Sequence, residues 1–233
     1  MLLLAAFLVG AAWAAFVGIK RVQRERMAEH ARAAGLQAYR EGSLQNAINE
    51  LSYYFQQEKD DLEVNLAFAD ARSRLPLPGG RHLFEAIDLY TRHGLELIDR
   101  QGGGTDQQRF DILKRLLELS AQLGDRERVA STADALLQID PGMIDAMAAR
   151  AEVHFLSREF EDTERIATRL IELDPDRLRW RRMLLEVHSR QGASTDSQIE
   201  QCRAWSETYT ADARFRLLAA AMLVDAGRMD EAR

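Results

Sequence analysis

The sequence predicts an all-α chain of stacked helical hairpins behind one apolar N-terminal helix, and three observations carry that expectation. Only 7% of the residues are aromatic while 46% are hydrophobic, so the core must be mostly Leu, Ala and Ile, a composition suited to helices. The run Gln138-Ile139-Asp140-Pro141 returns as Glu172-Leu173-Asp174-Pro175, a step of 34 residues. The first nineteen residues carry no charge, in a chain that is 29% charged.

Composition closes several other doors. Four Pro and 14 Gly are too few for a collagen-like or low-complexity chain, and the apolar fraction is too high for a disordered one. The 233 residues hold 31 Lys and Arg against 37 Asp and Glu, a net charge of -6. That balance removes nucleic acid as a partner, because phosphate binding needs a concentrated basic surface. The single cysteine, Cys202, excludes an internal disulfide framework and cannot by itself build a thiolate zinc or iron–sulfur site.

The first element is the uncharged run Leu2–Ile19. As a helix it is about 27 Å long, enough to cross the hydrocarbon core of a bilayer. Trp13 and Phe16 fall towards its charged end, where aromatic rings favour the membrane interface. Ala12-Trp13-Ala14 has the small-x-small form of a signal-peptidase site, but no Lys or Arg precedes the run as a secretory signal requires. Residues 1–19 are therefore expected to be an uncleaved transmembrane anchor. Residues 20–27 hold Lys20, Arg21, Arg24 and Arg26 against Glu25, a basic juxtamembrane segment. By the positive-inside rule this flank belongs on the cytoplasmic side, together with the residues C-terminal to it.

Residues 28–233 read as a repeat array. Each Asp-Pro closes an amphipathic stretch, Arg128–Leu137 in one case and Asp162–Ile171 in the other. Each stretch is preceded by a polar turn, Gly124-Asp125-Arg126 or Arg158-Glu159-Phe160, and Arg190-Gln191-Gly192 keeps the 34-residue step. Proline stops further helical turns, and a glycine or polar residue ends the partner helix. On these residues the chain resembles the tetratricopeptide repeat (TPR) family. That unit has a small residue mid-way along helix A, a Gly-x-aromatic turn, an Ala early in helix B and a closing Asp-Pro. Gly35, Gly42, Leu44 and Ala47 fit a first unit; Gly124, Val129, Ala133 and Asp140-Pro141 a third. Ala151, Phe160, Ala167 and Asp174-Pro175 fit a fourth, Gly192, Ala204 and Trp205 a fifth, and Gly227–Ala232 the turn of a sixth. The resemblance implies a right-handed α-solenoid with units at 28–61, 62–109, 110–143, 144–177, 178–212 and a truncated 213–233.

Two departures from the pattern stand out. The second repeat is 14 residues too long, with the excess expected in Leu75–Gly80 and Gln101–Thr105. Pro76 and Pro78 push their predecessors out of the helical region, and Gly102–Gly104 reads as a flexible joint. The last repeat lacks its helix B, so Phe215, Leu218 and Met222 are expected to be uncovered and the chain to be part of a longer protein.

The chain carries no Gly-rich phosphate loop, no H-E-x-x-H, no G-x-S-x-G and no CxxC, so neither catalysis nor a cofactor is expected. His154 and His188 lie 34 residues apart on successive A helices and read as packing residues, since two imidazoles are too few for structural zinc. Cys202 reads as a small apolar filler. One constellation remains. Glu118, Glu152 and Glu186 recur at 34-residue steps, preceded four residues earlier by Lys114, Ala148 and Arg182. Lys114 with Glu118, and Arg182 with Glu186, are i,i+4 neighbours on one helix face. The resemblance implies that A helices line a concave groove, so these residues, flanked by Arg179 and Arg190, are the expected binding face for a mixed or basic peptide. In the chaperone-binding TPRs, Lys, Arg and Asn clamp a terminal carboxylate, and the resemblance implies that the glutamates here stand where that Asn would be wanted, against such a partner. The expected function is a membrane-anchored scaffold for protein–protein interaction, with no metal and no nucleic-acid partner. Its alternatives are the adaptor part of an envelope-biogenesis complex and the non-catalytic N-terminal part of a longer enzyme.

Overall fold

A computed structural model describes residues 2–102, 104–208 and 213–231, with the side chains of residues 2–15, Val17 and Phe215 outside the description. Among the described residues there is no strand. The chain divides into two compact units, Met1–Asp125 and Arg126–Arg233. Among the described residues no helix is long and apolar enough to cross a membrane. The expected anchor falls almost wholly on side chains outside them.

The first unit opens with α1 (Leu2–Arg40), whose C-terminal part packs on α2 (Leu44–Gln57). Gly35 permits that approach, because a Cβ there would lie 2.6 Å from Leu51 Cδ2. Gly42, at φ +77°, ends α1, and the Ser43 N–H donates back to the Ala38 carbonyl at 2.8 Å. Asp61 caps α3 (Leu62–Arg74) by accepting from the Val64 N–H at 3.1 Å. The same carboxylate accepts from Arg32 Nε at 2.6 Å and the Tyr54 hydroxyl at 3.3 Å, so one residue ties three helices together.

The extra length of the second repeat lies only partly in loops. After a 3₁₀ turn at Pro78–Gly80, the helical path from Arg81 to Gln101 is unbroken: α4 (Arg81–Tyr90), a π turn at Thr91–Leu95 and α5 (Glu96–Gln101). A π turn holds one more residue than an α turn and leaves a carbonyl outside the usual ladder. Asn65 Nδ2 donates to the His93 carbonyl there at 3.0 Å. Gly94 faces Ile112 and Leu66, where a Cβ would sit 3.3 and 3.4 Å from their methyl groups. Gly102 closes the helix at φ +60°, and Gly104 is pressed against Ile98, so both have conformational or packing reasons to be glycine. Gly103, central to the expected joint, lies outside the described residues. Then α6 (Asp106–Leu123) begins with a reciprocal capping box between Thr105 and Gln108.

The second compact unit contains α7 (Arg126–Ile139), α8 (Ile144–Leu156), α9 (Phe160–Leu173), α10 (Leu178–Arg190), α11 (Thr195–Thr208) and α12 (Ala213–Asp225). Ala133, Leu136, Ala151, Ala167 and Leu170 are fully buried, and Trp180 is nearly so. Arg158 adopts φ +63° at the place held by glycine in the flanking repeats. At the last helix, Leu218 and Met222 pack with Leu185 and Cys202, whereas Leu217 and Val224 point to solvent. The expected uncovered side therefore faces inward at Leu218 and Met222, and Phe215 lies outside the described side chains.

Candidate partner-binding groove

The residues expected to form a carboxylate column take partners that sequence spacing did not select. Glu118, on α6, accepts from Arg115 at 2.7 Å, while Lys114 turns towards the Phe110 ring one turn earlier, 6.0 Å from its centroid. Glu152, on α8, pairs with Arg179 on α10. Glu186 pairs with Arg190 at 3.0 Å, leaving Arg182 exposed and without an ion-pair partner among the described residues. The structure thus brings Glu152 to Arg179 and Glu186 to Arg190, and does not join Lys114 to Glu118 or Arg182 to Glu186. Each of the three carboxylates is about half exposed, so each ion pair contributes only about 0–1 kcal/mol.

The more developed site lies in the first unit. A cavity of about 530 Å³ is lined by side chains of α1, α3 and α6, with Tyr90 at the end of α4. Leu36, Leu62, Leu66 and Ile112 supply its apolar wall. Its polar part is a network centred on Asp70. The Tyr39 hydroxyl donates to Asp70 Oδ2 at 3.0 Å, and Arg115 Nη2 donates to Asp70 Oδ1 at 2.9 Å and to Ser73 Oγ at 3.1 Å. Arg74 approaches the same carboxylate at 3.3 Å. Burial, and then the neighbouring Asp70 carboxylate, push the Tyr39 and Tyr90 phenols above their ordinary value. Burial works against the Arg115 cation, but Glu118 and Asp70 outweigh it and hold the guanidinium charged. Arg115 Nε is buried without a hydrogen-bond partner. The result is a firmly held ion pair at one side of a greasy slot, with Arg40 exposed at the rim.

Reading equal positions in successive repeats could not find this site. Within their repeats Tyr39, Asp70 and Arg115 stand at the twelfth, ninth and sixth positions, a diagonal that steps back three residues per repeat. Helices packed at an angle present one face at shifting positions, so a groove crosses them on a slant.

The two histidines are held separately. His154 is buried with Nδ1 against Glu159, and Asp162 lies close by, the three candidate ligand atoms falling within 4.8 Å of one another. Arg165 already binds Asp162 at 2.6 Å, and this bond, with His154 and Arg150 nearby, keeps the Asp162 carboxyl below its usual range. His188 meets Gln201 at 3.2 Å and Glu164 at 3.3 Å. Cys202 is fully buried, and burial pushes its thiol up to about 11.

No known family profile matches the chain, and no curated protein matches it by sequence. Solved structures do match. A tetratricopeptide repeat protein from Parabacteroides merdae aligns with a TM-score of 0.59 at 16% identity, covering 89% of this chain and 76% of that one. The MamA protein aligns with a TM-score of 0.60 at 12% identity, over 82% of this chain and 96% of its own. PilF of Pseudomonas aeruginosa aligns with a TM-score of 0.52 at 12% identity, over 90% and 88%. Identities this low speak for the fold alone. The chain has the fold of tetratricopeptide repeat proteins.

Proposed function

We propose that this chain is a membrane-anchored TPR scaffold that holds a segment of a partner protein in the groove of its first unit. The supporting observation is the cavity of about 530 Å³ whose apolar wall meets the Tyr39–Asp70–Arg115 network. Concave, mostly apolar sites with a few fixed polar groups are where ligands gain both contact area and orientation. Leu36, Leu62 and Leu66 offer the first, and Asp70 and Arg115 the second. The anchor rests on the uncharged Leu2–Ile19 run, and the cations behind it favour the cytoplasmic side for the repeats. The second unit offers a different face, where Glu152 of α8 and Arg179, Arg182, Glu186 and Arg190 of α10 mix both signs of charge. That face suits a mixed-charge segment held by salt-sensitive contacts.

Affinity capture of the full chain from its own membranes separates the two faces. Leu66→Glu puts a charge into the apolar wall, and Asp111→Arg crowds the rim of the same groove from an exposed position. Both should lose the proteins that wild type retains, and the exposed Asp111→Arg should do so with helical circular dichroism and melting unchanged. A Glu118→Gln, Glu152→Gln, Glu186→Gln triple variant should retain them. The opposite pattern, loss in the glutamine variant only, would overturn the groove and move binding to the charged face.

A further inference from the structure

Where α1 leaves the repeats, its surface changes character. From Gly18 to Met27 every residue is exposed, and packing against α2 begins only at Ala28. Lys20, Arg21, Arg24 and Arg26 lie on this stretch with one anion, Glu25, which Arg21 binds at 2.9 Å. Lys20 Nζ rests over Phe16 at 5.0 Å, and Arg24 and Arg26 have no ion-pair partner among the described residues. Beside these cations Phe16, Ile19, Val22 and Met27 are about half exposed or more. Three cations without an ion-pair partner among the described residues and four part-exposed apolar side chains thus share about three helical turns, so apolar surface is left in water beside positive charge.

We infer that residues 18–27 of α1 form a surface for the anionic phosphate headgroups of a bilayer. Cations and apolar groups side by side are what the headgroup boundary accommodates: the charges meet phosphate while the apolar tips enter the acyl edge. The charge distribution of the whole chain points the same way. The first forty residues hold six Lys and Arg against two Glu, although the chain carries -6 overall. An anionic surface therefore attracts α1 and repels the repeats, which stands the chain on this segment and keeps its groove away from the lipid. Lys20 and Arg24 also border a cavity of about 740 Å³ at the end of α2, where Glu25, Glu29 and Glu58 stand beside them, whereas Arg26 lies outside that lining.

The inference rests on the reading of Leu2–Ile19 as an anchor, and the two fail in different ways. The full chain is reconstituted in phosphatidylcholine bilayers, and the motion of spin-labelled phosphatidylglycerol is compared with that of spin-labelled phosphatidylcholine. Wild type should immobilise phosphatidylglycerol preferentially, by about fivefold for each engaged cation at low salt. The preference should vanish in the Lys20→Gln, Arg24→Gln, Arg26→Gln variant, and at about 0.5 M salt, where the Debye length is only about 4 Å. Equal immobilisation of both lipids by wild type would overturn the headgroup surface while leaving the anchor standing. Immobilisation of neither lipid would overturn the anchor, and the headgroup surface with it. Preference for phosphatidylglycerol that survives in the triple glutamine variant would also overturn the assignment to these three cations.

Discussion

Asp61 shows how much one side chain can organise. Its carboxylate receives the Arg32 guanidinium, the Tyr54 hydroxyl and the Val64 N–H, from α1, α2 and α3 respectively. Burial acts to raise its carboxyl, but Arg32 and the Val64 N–H outweigh it and hold the group below its ordinary 3.8. A carboxyl depressed in the folded state adds stability above its unfolded value near 3.9, and that stability is lost as pH falls through the folded value. Asp61→Asn is therefore expected to cost about 1–3 kcal/mol at pH 7 and progressively less below pH 4, read from urea unfolding across that range. A cost that stayed constant down to about pH 2 would show that the charge does not matter. At this scale the sequence was readable for small residues and poorly readable for charges. Gly35 and Ala47 fitted the repeat pattern, and Gly35 lets Leu51 of the partner helix come close. Glu118 gave no sign that it would choose Arg115 over Lys114, because both lie within reach on one helix and only the fold brings Asp70 to anchor Arg115. Arg158 gives no local sign of a left-handed backbone, and only the 34-residue register, which sets it level with Gly124 and Gly192, marks the position.

The helical path Arg81–Gln101 holds more residues than a helix B of 14 such as α7 or α9. Its extra length was visible as a repeat of 48 residues, but the sequence located all of the excess in Pro- and Gly-rich loops. Much of it is instead absorbed in a longer helix B with a π turn at Thr91–Leu95, whose stray His93 carbonyl is taken by the buried Asn65. No local propensity codes for a π turn; it is one residue too many, kept because the helices on either side are already fixed by packing. Deleting the exposed Arg92 should therefore heal the turn to regular α-helix, keep Leu97 and Ile98 buried, and cost about 1–3 kcal/mol, chiefly the lost bond from the buried Asn65 to the His93 carbonyl. Deleting Phe84, exposed within regular α4, should rotate the helix on one side of it by about 100° and cost more than about 3 kcal/mol. Thermal melts of the two deletions decide it, and equal losses would refute the extra-residue explanation.

For the molecule as a whole, the 34-residue step and the Asp-Pro closures were enough to give the fold class, because a repeat writes its packing rule many times over. The groove was not legible in the same way. Its apolar and polar members fall on a diagonal across three helices, whereas matching positions in successive repeats form columns. The second unit bears a mixed-charge face on α8 and α10, and the first unit bears the slot with its part-buried ion pair. On the proposed function, the slot is the surface that a partner segment touches. A photo-crosslinking amino acid placed at Leu66 or Gln108 reports on the slot, and one placed at Arg182 or Glu186 reports on the charged face. In intact membranes Leu66 and Gln108 should join the chain to the same protein partner, while Arg182 and Glu186 should not. A partner joined from Arg182 and Glu186, with nothing joined from Leu66 or Gln108, would contradict the claim.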